Sequence, residues 1–177
     1  MLHVKEETVE EIRAIAAEKG CRLLAIESSG AGKFSVLRLV LERSDGSPVT
    51  LDECEAVSRE VSPLLDVSDD IPHRYALEVS SAGLDRKLYS VEDASRFVGR
   101  RVKVRTETPL RPTASERPSS TELPARNIAG TLAAVEGDTL TVVDEENRKT
   151  YNVRFADIRL ARIDFEWPNR GGRAISR

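Results

Sequence analysis

Ser80, Ser81, His73 and Asp85 stand within thirteen residues of one another and supply the side-chain types of a serine hydrolase. Their arrangement does not fit one, because there is no GxSxG elbow, no sign of an oxyanion hole and no base oriented by a third group. His3 and His73 are the only histidines, and neither has cysteines or carboxylates at metal-ligand spacing. The string Gly30-Ala31-Gly32-Lys33 invites comparison with a phosphate-binding loop. A strand begins at Phe34, however, so no helix N-terminus follows to cradle a phosphate. With no dinucleotide fingerprint and no carboxylate pair, the sequence predicts a protein without catalysis, cofactor or metal.

Binding chemistry remains. Arg100, Arg101, Lys103 and Arg105 cluster in sequence, a short way after Arg86 and Lys87. Alternation along a strand places Arg101, Lys103 and Arg105 on one face, opposite Val102 and Val104. Such a ridge is either a phosphate contact or an ordinary solvated strand face, and arginine's planar fork suits RNA backbones and carboxylates alike. Aromatic residues make up 5% of the chain, which argues against single-strand recognition by stacking.

The elements that must position these residues fall into two groups. Glu6 to Lys19 spaces Val9, Ile12, Ile15 and Ala16 as one helical stripe, with Gly20 past its end. Cys21 to Glu27 and Phe34 to Arg43 read as strands. Thr50 and Glu53 form a capping box ahead of Leu51, Cys54, Val57, Val61 and Leu65, and Pro63 predicts a kink or an early stop near Ser62. Tyr75, Leu77 and Val79 then alternate as a strand that ends in the small residues Ser80 to Gly83. Helix, strand, strand, helix, strand, with one apolar stripe per helix, predicts two helices on one face of a small sheet.

Ser90 and Asp93 open a short helical turn that ends at Phe97. Beyond Gly99 the pattern changes to short alternating segments: Val102 and Val104, Ile128 to Val135, Leu140 to Val143, Tyr151 to Val153, and Leu160 to Phe165. These predict a small closed β-barrel. The expected domains are therefore residues 1–98 and 99–168. A proline-rich polar insertion at 106–127 is expected to be mobile, and 169–177 to be a flexible tail. The formal charge of −3 divides unevenly: residues 1–97 carry −7 and residues 98–177 carry +4. An acidic half and a basic half together suit a ribonucleoprotein partner, although scatter in composition gives the same numbers. Cys21 and Cys54 match no zinc or redox spacing and read as reduced core residues, which suits the cytoplasm. No apolar run is long enough to span a membrane.

The stretch Glu78 to Leu88, EVSSAGLDRKL, resembles the EVSSPGLDRPL signature of the bacterial ribosome maturation factor RimP family. Nine of its eleven positions are identical, and Ala82 and Lys87 stand where the signature has proline. The resemblance extends in order and length over nearly the whole chain. It implies an α+β protein, with an N-terminal two-layer α/β sandwich (α-β-β-α-β) followed by a small SH3-like or Sm-like β-barrel. It further implies a non-catalytic, monomeric ribosome assembly factor that binds the immature 30S subunit, through rRNA or a small-subunit ribosomal protein, and supports 16S rRNA processing. An Sm-like RNA-binding regulator unrelated to the ribosome is the competing reading. Within the signature, Gly83 is expected at positive φ, Leu84 to fill space at the domain junction and Asp85 to accept hydrogen bonds there. Arg86 is expected to act as a second anchor or as a ribosome contact. Lys87, Arg100, Arg101, Lys103 and Arg105 are the candidate RNA or ribosome contacts.

Overall fold

Apolar residues at three- and four-residue spacing build α1 (Glu6–Glu18), whose Thr8, Ile12 and Ala16 are buried. Two strands follow, β1 (Cys21–Ser29) and β2 (Ser35–Arg43), paired antiparallel. In β2 the alternation puts Leu37, Leu39 and Leu41 on one face, all fully buried. The computed structural model of the chain describes residues 4–30, 35–45, 47–68, 71, 74–83, 86–115 and 123–164.

The capping box forms as expected. The Glu53 amide donates to Thr50 Oγ1 at 3.2 Å, and the Thr50 amide donates to Glu53 Oε2 at 2.8 Å. The helix that it starts, α2 (Leu51–Ser68), does not stop near Ser62 but continues through Pro63. Pro63 removes one backbone hydrogen bond on an exposed face. Val61 and Leu65 on the opposite side are buried in the core, at about 2 kcal/mol of transfer free energy for each such side chain. Tertiary packing therefore outweighs the local proline cost. The last strand of this unit, β3 (Tyr75–Ser81), pairs parallel to β2, giving a sheet of order β1-β2-β3. Ile12, Ala16, Val57, Val61 and Leu65 from the helices share one core with Leu37, Leu39 and Leu41, so both helices cover the same face.

The chain divides into two compact units at Gly83/Leu84, earlier than the expected 98/99 boundary. The reason is packing. Leu88 and Ala94 are buried in the second core and Phe97 packs against it, so the segment that leads to and includes α3 (Val91–Ser95) belongs to the second unit. Net charge by residue number gave no sign of this.

The second unit holds β4 (Arg101–Leu110), β5 (Ala114–Ser115), β6 (Ala125–Glu136), β7 (Thr139–Asp144), β8 (Lys149–Arg154) and β9 (Ile158–Ile163). They form an antiparallel sheet of order β5-β8-β7-β6-β4-β9. Its apolar cluster draws on β4, β6, β7, β8 and β9 alike, so the sheet curls around its own core. The expected closed barrel is not formed: among the described residues no ladder joins β5 to β9. A register shift between Leu132 and Ala134 interrupts the β6–β7 ladder and adds local twist. Gly130 is required in β6, because a β-carbon there would collide with the Val143 carbonyl.

The expected insertion at 106–127 is shorter in fact. β4 runs on to Leu110, which pairs with Ala125, and β5 pairs with β8. Thr106 is buried, with its hydroxyl donating to the Thr108 carbonyl at 2.7 Å, so a polar residue continues the strand without an unsatisfied group. Residues 116–122 and the expected tail at 169–177 lie outside the described residues.

Candidate functional site

The signature begins on β3 and leaves it through a backbone turn. The Ala82 amide donates to the Leu41 carbonyl at 3.0 Å. Gly83 then adopts φ +69°, the left-handed conformation anticipated for a glycine ending a strand. Any other residue would cost roughly 1 kcal/mol there. Leu84 and Asp85 lie outside the described residues.

Arg86 is buried, with 6% of its surface exposed. Its guanidinium makes a two-pronged contact with Asp93, Nη1 to Oδ2 at 2.8 Å and Nη2 to Oδ1 at 2.6 Å. Asp93 Oδ2 also accepts the Tyr89 amide at 3.2 Å, and the Asp93 amide donates to Ser90 Oγ at 3.0 Å. The Arg86 guanidinium lies 4.5 Å from the centroid of the Phe97 ring. This planar, bidentate and stacked geometry is one that arginine makes and lysine cannot. These contacts tie Arg86 to Asp93 of α3 within the second unit. The sequence identified Asp93 only as the capping partner of Ser90; its pairing with Arg86 is a contact across seven residues that no local pattern signals.

The strand face carries the remaining cations. Val102 and Val104 are buried, while Lys103 and Arg105 are exposed and Arg101 is partly so, as the alternation required. Pairing extends the ridge sideways. Lys103 stands opposite Arg162 of β9 on one side and Ala129 of β6 on the other, and Lys87 bridges to Arg162 from beyond β9. The bridge is fixed by the Leu88 amide on the Ala161 carbonyl at 2.9 Å and the Ile163 amide on the Arg86 carbonyl at 2.8 Å. Lys87, Arg162 and Lys103 therefore form one row across three neighbouring segments. In the next row Arg105 stands between Leu160 and Asn127. Arg100 is exposed just before the strand and outside these rows; its carbonyl accepts the Leu132 amide at 2.9 Å. Arg162 was missed by sequence reasoning. Its alternation with Ala161 and Ile163 was visible, but its place beside Lys103 depends on register.

One carboxylate sits at the end of the ridge. Asp164 accepts from Lys103 Nζ at 2.7 Å and from Arg101 Nε at 3.3 Å. The Lys103 hydrogen bond, followed by the Lys103 charge and the Arg101 contacts, holds its carboxyl below the usual carboxylate range against the opposing effect of burial. Arg101 also reaches Glu146, at 3.1 Å. Arg105 forms no ion pair among the described residues. Beside it lies a groove of about 360 Å³, lined by Lys103, Arg105, Asn127, Ala129, Leu160 and Arg162 together with Val104 and Ile128.

Residues 11–85 match the family model of the RimP N-terminal domain, a span that ends inside the signature and within two residues of the observed unit boundary. This span carries a RimP N-terminal domain. The match runs from within α1 past the end of β3 and supports the RimP family, whose general role is ribosome maturation. Among the described residues, no group of three or more His, Cys, Asp or Glu side chains could hold a metal ion. No helix among them is long and apolar enough to cross a membrane. Cys21 and Cys54 are free and buried, and burial pushes both thiols up from their ordinary values.

Proposed function

We propose that this chain binds the immature 30S ribosomal subunit in the cytoplasm, as a monomer, and supports maturation of that particle and of its 16S rRNA without catalysing a reaction. The observation that carries this reading is the RimP N-terminal domain match over residues 11–85. The signature at Glu78 to Leu88 supports it, as does the cationic strand face in the second unit. The mechanism is differential affinity: a factor that binds one conformation of an assembly intermediate more tightly than others raises its population. The curled C-terminal sheet is read as an open form of the SH3-like domain that the family resemblance implies, and the two units as separate domains.

Co-sedimentation of the full chain with purified small and large subunits tests the reading. Association with the small subunit is expected, from a protein that elutes as a monomer in gel filtration. Absence from small-subunit fractions, together with a ring-sized oligomer that binds free oligonucleotides, would instead establish an RNA-binding regulator.

A further inference from the structure

We infer that the face formed by β4 and β9 is a binding site for an RNA sugar–phosphate backbone, with Arg105 as its open cation and Asp164 as an internal stand-in for a phosphate. The inference rests on the proposed reading of the protein as a ribosome-binding factor and names the surface and the partner chemistry.

Residues facing one another on adjacent antiparallel strands lie about 5 Å apart, where like charges repel. Lys87, Arg162 and Lys103 nonetheless occupy one such row. A fold that gathers cations this closely requires anions nearby. Asp164 meets that requirement at one end, where it holds Lys103 and Arg101 together. Nothing among the described residues does the same for Arg105, one residue pair along the strand. The ridge thus has a self-neutralised end and an open end.

The spacing suits a polyanion. Arg101, Lys103 and Arg105 recur every second residue, about 6.8 Å apart along an antiparallel strand, so a chain of regularly spaced phosphates can meet them in succession. The groove beside them has small or short side chains at Ala129 and Asn127, and Leu160 gives it one apolar wall. That leaves space for a ribose between flanking cations. An acidic protein partner fits less well, because protein interfaces take their energy from buried aromatic and arginine anchors in deep pockets. Among the described residues, no aromatic side chain lines this groove.

Asp164 makes the site conditional. A phosphate that approaches Lys103 and Arg101 must displace or share the Asp164 carboxylate, whereas one that approaches Arg105 meets no competing carboxylate among the described residues. Affinity is therefore set first at Arg105 and restrained at Asp164.

The test uses the full chain, a labelled oligouridine and a labelled RNA hairpin, with fluorescence anisotropy over a range of salt. Arg105→Ala is expected to weaken binding of at least one RNA by roughly three- to tenfold and to reduce the salt slope by about 0.7 to 0.9, the release expected from one phosphate contact. Asp164→Asn is expected to tighten binding by several-fold. Thermal melts confirm that each variant is folded. Binding of both RNAs that is unchanged in both variants overturns the site, as does an Arg105-dependent affinity for an acidic peptide with no affinity for RNA. Small-subunit co-sedimentation of the same proteins keeps the two ideas apart. Subunit binding that ignores these substitutions leaves the assembly-factor reading standing and removes this site. RNA binding that follows Arg105, without subunit binding, supports the site and removes that reading.

Discussion

Two arginines of the second unit, Arg86 and Arg105, show what a charged residue is used for. Arg86 is buried against Asp93, with both carboxylate oxygens, the Phe97 ring and a capped helix start arranged around it. Arg105 is exposed on β4 with no ion partner among the described residues. One charge is paired within the fold, and the other is the one proposed to meet a ligand. Both lie in basic, similar-looking stretches of sequence, so composition alone does not separate a structural cation from a binding one. The number of partners does.

The largest effect expected from breaking this contrast is at the buried pair. Asp93→Ala removes the carboxylate that both terminal guanidinium nitrogens of buried Arg86 contact, and a loss of about 3–5 kcal/mol is expected in denaturant unfolding of the full chain. Replacing both partners, Arg86→Met with Asp93→Leu, should recover much of that loss, because no unpaired buried charge remains.

The Asp164 contacts are expected to be worth less, about 1 kcal/mol, since Lys103 is half-exposed and screened by water. Their pH dependence has a definite sign. The folded-state carboxyl is held below its ordinary value, so the stabilisation is fully present above about pH 4, near the unfolded value, and is lost as pH falls through the lowered folded value. Asp164→Asn should remove this part of the acid dependence in a stability profile taken from neutral pH downwards.

At the other extreme, Arg105→Ala should change stability by no more than about 0.5 kcal/mol in the same unfolding measurement. A loss comparable to that of Asp93→Ala would show that Arg105 is also a structural cation and would erase the contrast.

Local rules explain which of these features could be read from the sequence. The capping box at Thr50/Glu53 and the Ser90 cap on the Asp93 amide were legible because each closes within one helical turn. The positive φ of Gly83 and the alternation of Val102 and Val104 with cations were legible for the same reason. What failed was non-local. Pro63 predicts a kink or an early stop near Ser62, and the early stop does not occur, because core contacts of Val61 and Leu65 carry α2 through it. The apolar residues between Arg86 and Phe97 do not declare which core they join, and only packing assigns Leu88 and Ala94 to the second unit. Thr106 to Leu110 looks like the start of a polar insertion, but backbone pairing needs no apolar side chain. Arg162 joins the ridge through strand register, which no single segment encodes.

The short pairing of residues 86–88 with β9 has a consequence for solubility. β9 is the last strand of its sheet, and an unpaired strand edge is a template on which a second chain can add. The Leu88 and Ile163 backbone hydrogen bonds occupy part of that edge, and Lys87 places a charge at its outer margin. The C-terminal end of the family signature thereby also shields one end of β9. Changes that pull residues 86–88 away from β9 would expose a sticky edge, and the first symptom in the test tube would be aggregation on concentration.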